Sequence, residues 1–113
     1  MLLSFRYAGR GMVYAMYREK NFRYHLLATV GTLVTGWLTE FTPTEWCLVL
    51  ILIGMVYTAE IFNTAIEKMM DHLHPDHHPA VGHIKDLAAG AVLASSVTAA
   101  VVGSIILIGK LYL

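Results

Sequence analysis

From Leu87 to Gly109 the chain runs 23 residues without a formal charge. At about 1.5 Å of rise per helical residue, such a stretch is long enough to cross the ~30 Å hydrocarbon core of a bilayer. Two other segments approach the same property. Tyr24 to Thr39 gives 16 uncharged residues, about 24 Å of helix; Phe22 and Phe41 lengthen it, and Arg23 can snorkel to the headgroups. Trp46 to Ile66 has roughly the 21 residues a crossing needs, but Glu60 lies inside it. Composition agrees: 57% of the 113 residues are hydrophobic and 14% charged, against roughly 45–50% and 25% in soluble domains. Eight basic side chains balance eight acidic ones, which removes the basic excess a nucleic-acid binder needs, and Cys47 is the single cysteine, so no intrachain disulfide forms.

The sequence therefore predicts an all-α integral membrane protein, one domain over 1–113. It comprises a surface helix at 1–20 and transmembrane helices at 22–41, 46–67 and 86–109. Arg6, Arg10, Arg18, Lys20 and Arg23 break up the N-terminal region, which is not the pattern of a cleaved secretory signal, so the first span is expected to persist in the mature protein. Five basic residues precede the first span, none lies in the 40–45 turn around Pro43, and Lys68 and Lys85 flank the polar stretch 68–86 that carries Pro75 and Pro79. The positive-inside rule then places the N-terminus and the 68–86 loop in the cytoplasm, with Lys110 a mild exception on the outer side.

Residues 2 to 20, drawn as a helix, gather Phe5, Ala8, Met12, Ala15 and Met16 on one side and Arg6, Arg10, Tyr17 and Lys20 on the other, as expected for a helix lying on the inner leaflet. Glu19 falls within the apolar sector of that projection and needs a partner. Small residues recur every four positions at Ala91, Ser95, Ala99 and Gly103, and again at Ala28, Thr32 and Gly36, a spacing that lets helices approach closely in lipid. Three spans enclose too little interior for a buried carboxylate, so a homo-oligomer is expected.

Chemistry concentrates on the second span. Glu60, Asn63, Thr64, Glu67 and Asp71 stand at i, i+3, i+4, i+7 and i+11, one continuous helical face. An early helix end would explain Glu67 and Asp71 as solvated side chains; it explains Glu60 poorly, since an ionised group in hydrocarbon costs at least about 2.5–3.5 kcal/mol. Lys85 and Asp86 precede the third span on the same side, and Glu19 approaches from the surface helix. Carboxylates with phosphate oxygens suit Mg²⁺, and a lysine beside them suits a polyphosphate. A proton or cation conductor would use a similar acidic stripe, although it has no need of a phosphate-side lysine.

The sequences Glu60-Ile-Phe-Asn63-Thr-Ala-Ile-Glu67 with Asp71, His78-Pro79, and Lys85-Asp86-Leu-Ala-Ala-Gly-Ala-Val-Leu93 resemble the small prokaryotic diacylglycerol kinase and undecaprenol kinase family of trimeric integral-membrane lipid kinases. Ser4-Phe-Arg-Tyr-Ala8 and Glu19-Lys-Asn-Phe-Arg-Tyr-His-Leu26 extend the resemblance to nearly the whole chain, and the wording is nearer the undecaprenol kinase branch. The resemblance implies ATP-dependent phosphorylation of a lipid alcohol: undecaprenol first, diacylglycerol as the alternative. It implies a homotrimer in the bacterial inner membrane, with sites shared between subunits. By position, it makes Glu60 the catalytic carboxylate and Asn63 a positioning amide. Glu19 and Glu67 become the acids that hold Mg²⁺ with ATP, and Lys85 and Asp86 the phosphate-side pair. Tyr7 is implied as a nucleotide contact, and Asp76, His77 and His78 as the loop near the adenosine; Asp71 matches a family acid without an assigned role. Where the family often has a basic residue one turn before the Lys-Asp pair, Gly82 and His83 stand here.

Other features read more plainly. His72, His74, His77, His78 and His83 read as a polar juxtamembrane loop rather than a transition-metal site. His25 reads as a headgroup-boundary residue, Cys47 as packing, and Trp37 and Trp46 as interfacial anchors.

Overall fold

The computed structural model describes residues 1–76 and 78–112. Every regular element among them is an α-helix: α1 (Leu2–Arg18), α2 (Lys20–Leu38), α3 (Pro43–Leu73) and α4 (Pro79–Tyr112). Two of these, α3 and α4, are long and apolar enough to cross a membrane, and the 19 residues of α2 reach about 28 Å.

The first helix stops before Glu19, which is extended at φ −107° and ψ 114°. Its N–H still closes the last turn on the Ala15 carbonyl at 2.9 Å, and Arg23 Nη1 donates to the Tyr17 carbonyl at 3.1 Å. These bonds satisfy groups that a helix end otherwise leaves open. Glu19 is thus not on the apolar face of a continuous helix, as its position in a 2–20 projection suggests; it is the extended residue that separates α1 from α2.

The turn from α2 to α3 is built from caps. Glu40 adopts the left-handed conformation (φ 56°) and the Phe41 N–H bonds the Gly36 carbonyl at 3.0 Å, a Schellman closure. Thr42 and Glu45 then form a reciprocal capping box with Pro43 in the first turn of α3. Trp46 packs edge-on to Phe41 at 5.3 Å with its ring against Gly36. It seals the turn rather than serving only as an anchor, whereas Trp37 is 80% exposed. Lys110, at the end of α4, bonds both the Glu45 carboxylate and the Glu40 carbonyl at 2.8 Å, which gives a lysine at the α2–α3 turn its partners.

At the opposite end the loop is far shorter than 68–86. α3 continues to Leu73 and α4 begins at Pro79. Residues 68–73 hold no helix breaker, Pro75 bars further extension of α3, and Pro79 opens α4 with fixed φ. His78 Nδ1 accepts the Ala80 N–H at 3.1 Å, capping the new helix.

α3 packs along α4, and α2 lies on α3 through Phe22 and Tyr57, whose ring centroids are 5.1 Å apart. Among the described residues α2 and α4 do not meet, so a groove opens between them over α3. The buried face of α3 carries Val49, Val56, Glu60, Asn63 and Thr64. Cys47, nine positions before Val56 and thus half a turn away, is exposed rather than packed.

Candidate functional site

The C-terminal half of α3 brings polar groups into an apolar setting by helical periodicity alone. Glu60 is 3% exposed, and its Oε2 lies 3.3 Å from Nε2 of His25 on α2. Sequence reasoning missed this partner, since a histidine at the second position of the first uncharged run reads as a headgroup contact; only the register between α2 and α3 reveals the pairing. One turn on from Glu60, Asn63 Nδ2 donates to Glu67 Oε1 at 3.3 Å, and Asn63 Oδ1 is buried without a partner among the described residues.

Two cavities of about 300 Å³ each flank this stripe. The first fills the groove between α2 and α4 and is lined by apolar and small side chains, with His25, Thr29 and Tyr57 at one end. The second lies at the polar end, between the close of α3 and the opening of α4, where Asp71, Asp76, His78, Lys85 and Asp86 converge. Lys85 Nζ is ion-paired and hydrogen-bonded to Asp71 there. This gives Asp71 a physical role, holding the ammonium in place at the mouth of the polar cavity.

Glu19 stands apart from these residues. Its Oε1 is 3.9 Å from Lys68 Nζ, and interaction with Tyr14 above all, then the charges of Glu19 and Asp71, raises the Lys68 pKa above its ordinary value. Lys68 thus ties α1 to α3 beside Glu67. Tyr7 is 60% exposed on α1 with Arg10 over its ring at 5.8 Å, and it borders neither cavity. His77 lies outside the described residues.

No group of three His, Cys, Asp or Glu side chains among the described residues is placed to hold a metal unaided. Mg²⁺ that travels with a nucleotide commonly takes only one or two protein carboxylates, with phosphate oxygens and water completing its shell. Glu19 and Glu67 are hard oxygen donors of the type Mg²⁺ takes, and here Glu19 Oε1 lies 3.9 Å from Lys68 Nζ while Glu67 Oε1 accepts from Asn63 Nδ2.

The family model described as prokaryotic diacylglycerol kinase matches residues 6–107. An undecaprenol kinase of Bacillus subtilis is 39% identical over 108 residues, spanning 96% of this chain and 88% of its own. A diacylglycerol kinase of Synechocystis is 32% identical over 98% of this chain and 64% of its own, and the diacylglycerol kinase of Escherichia coli K12 is 27% identical over 89% and 83%.

Proposed function

The chain belongs to the prokaryotic diacylglycerol kinase family and is a lipid kinase, and from that premise we propose that it transfers the terminal phosphoryl group of ATP to undecaprenol at the inner face of the bacterial cytoplasmic membrane. Support for the polyprenol comes from the 39% identity with the Bacillus subtilis undecaprenol kinase; the relatives at 32% and 27% keep diacylglycerol as the second reading. The observation that carries the chemistry is the buried Glu60 carboxylate, next to an apolar cavity at one end of a helical face whose other end opens on a polar cavity holding Lys85.

A hydrophobic alcohol reaches the groove laterally from lipid, while ATP arrives from water. Glu60 takes the hydroxyl proton as the alcohol oxygen bonds the terminal phosphorus, and the bond to the bridging oxygen of ADP breaks in line. Lys85, swinging from Asp71, offsets phosphate charge, and Asn63 Oδ1 is an acceptor able to orient a donor beside Glu60. Glu19 and Glu67 would hold Mg²⁺ that arrives with ATP, which would supply further charge neutralisation. The functional assembly is a homotrimer of chains with three crossings each, α1 lying on the inner leaflet and the N-terminus cytoplasmic.

The deciding experiment compares purified protein on undecaprenol and on a diacylglycerol in mixed micelles, with ATP and Mg²⁺. A higher kcat/KM for undecaprenol is expected. Preference for diacylglycerol reverses the substrate assignment, and ATP turnover that ignores both lipids overturns the reading as a whole.

A further inference from the structure

The His25 side chain stands where α2 crosses the buried carboxylate of α3. Its Nε2 is 3.3 Å from Glu60 Oε2, and the imidazole is about one-quarter exposed while Glu60 is almost fully enclosed. His25 also borders the apolar cavity, whereas Glu60 does not. The backbone around the imidazole is fixed: the His25 carbonyl accepts the Thr29 hydroxyl at 2.8 Å, and that hydroxyl pairs with the Tyr57 hydroxyl of α3 at 2.8 Å. The two helices are therefore registered to each other by a polar bond one turn from the His25–Glu60 contact. A carboxylate in hydrocarbon without a cation or donor beside it would take up a proton and lose its basicity.

We infer that His25 is the positioning residue for Glu60. Through Nε2 it keeps the carboxylate available as a base and sets its rotation. The inference rests on Glu60 acting as the base in the proposed reaction, and it adds a second helix to the catalytic unit. The same contact could merely compensate a buried charge. The two roles separate on geometry, because a positioning contact depends on which ring nitrogen is reproduced. A glutamine amide nitrogen occupies the place of Nε2, whereas an asparagine amide nitrogen occupies that of Nδ1.

The test uses His25→Leu, His25→Gln and His25→Asn, each purified as an assembled oligomer and assayed for lipid phosphorylation. His25→Leu and His25→Asn should lose about 10- to 100-fold in kcat, less than the ~10²–10⁴-fold a base itself supplies, with the KM for ATP unchanged. His25→Gln should recover most of the rate. In a Glu60→Gln background, His25→Leu should have no further effect, since residues acting as a unit are not additive. Wild-type kcat in His25→Leu, equal rates in the Gln and Asn variants, or an effect confined to the KM for ATP each overturns the inference. If the leucine variant does not assemble, the Gln and Asn pair still decides. Failure of the underlying reading has a different signature: Glu60→Gln would itself turn over normally.

Discussion

A carboxylate at 3% exposure in an apolar helix is a standing cost, and what offsets it at Glu60 is one imidazole at 3.3 Å. Glu60→Gln removes the base but keeps a polar group of the same shape. The rate constant for phosphoryl transfer should fall by about 10²–10⁴-fold while ATP binding persists, and folding should not suffer because an amide is easier to bury than a carboxylate. Stopped-time assays with labelled ATP alongside equilibrium nucleotide binding check both halves; a folded oligomer with near-normal kcat removes Glu60 from the chemistry. Glu60 was legible in the sequence because a charge among 20 otherwise uncharged residues has no bland explanation. His25 was not, because a histidine near a span's polar end is unexceptional until a second helix is laid against it. Cys47 misled for a related reason: periodicity says which residues share a face, and only the packing of α3 says which face is inward.

At the scale of elements, the chain's turns are defined more tightly than its helix faces. Gly36 has no room for a side chain, since a Cβ there would sit 2.6 Å from Trp46 Cη2 and 2.8 Å from Phe41 Cδ2. Gly36→Ala should therefore destabilise the α2–α3 turn by about 1–3 kcal/mol, the range for overpacking a filled site, and lower the melting temperature in detergent. It should leave kcat of the surviving oligomer intact, since the turn lies at the far end of α3 from the acidic stripe. The same turn carries a pH dependence. The hydrogen bond from Lys110, then that from the Thr42 N–H, holds Glu45 below its ordinary value of 4.5. A carboxylate lowered on folding contributes stability that is present above its unfolded pKa and is lost as pH falls through the folded one. Melting curves from neutral pH down through the carboxylate range should therefore drop more steeply for the wild type than for Lys110→Gln, and parallel curves would show that the bridge contributes nothing. The capping box and Pro43 could be read from Thr42-Pro-Thr-Glu45, whereas the clasp from Lys110 joins residues as far as 70 positions apart. The break at Glu19 was also hidden, because the amphipathic pattern continues past the point where the helix is interrupted.

For the whole molecule, the decisive fact is how little one chain encloses. Small residues at Ala28 and Thr32 face Ala99 and Gly103 across an open groove instead of touching, so spacing foretold ridges but not what fills the space between them. The two ends of the acidic stripe, Glu60 and Asp71, are eleven residues apart, about 16 Å along the helix, which is too far for a base and the lysine held at Asp71 to act on the same phosphorus within a rigid chain. Sharing between neighbours resolves this if the base of one copy faces the phosphate side of the next. Chains carrying Glu60→Gln are inactive for want of a base, and chains carrying Lys85→Ala for want of phosphate binding. If sites are shared, co-assembled oligomers of the two must contain some sites that draw Glu60 from one chain and Lys85 from the other, and these regain wild-type function. Activity should therefore appear in the mixture, scale with the fraction of mixed oligomers as subunit ratio is varied, and vanish when the variants are assembled separately before mixing. If each site were complete within one chain, no ratio of the two variants would produce an intact one, so verified mixed oligomers that remain inactive would return base and phosphate-binding lysine to a single subunit and require that α3 and α4 move to bring them together.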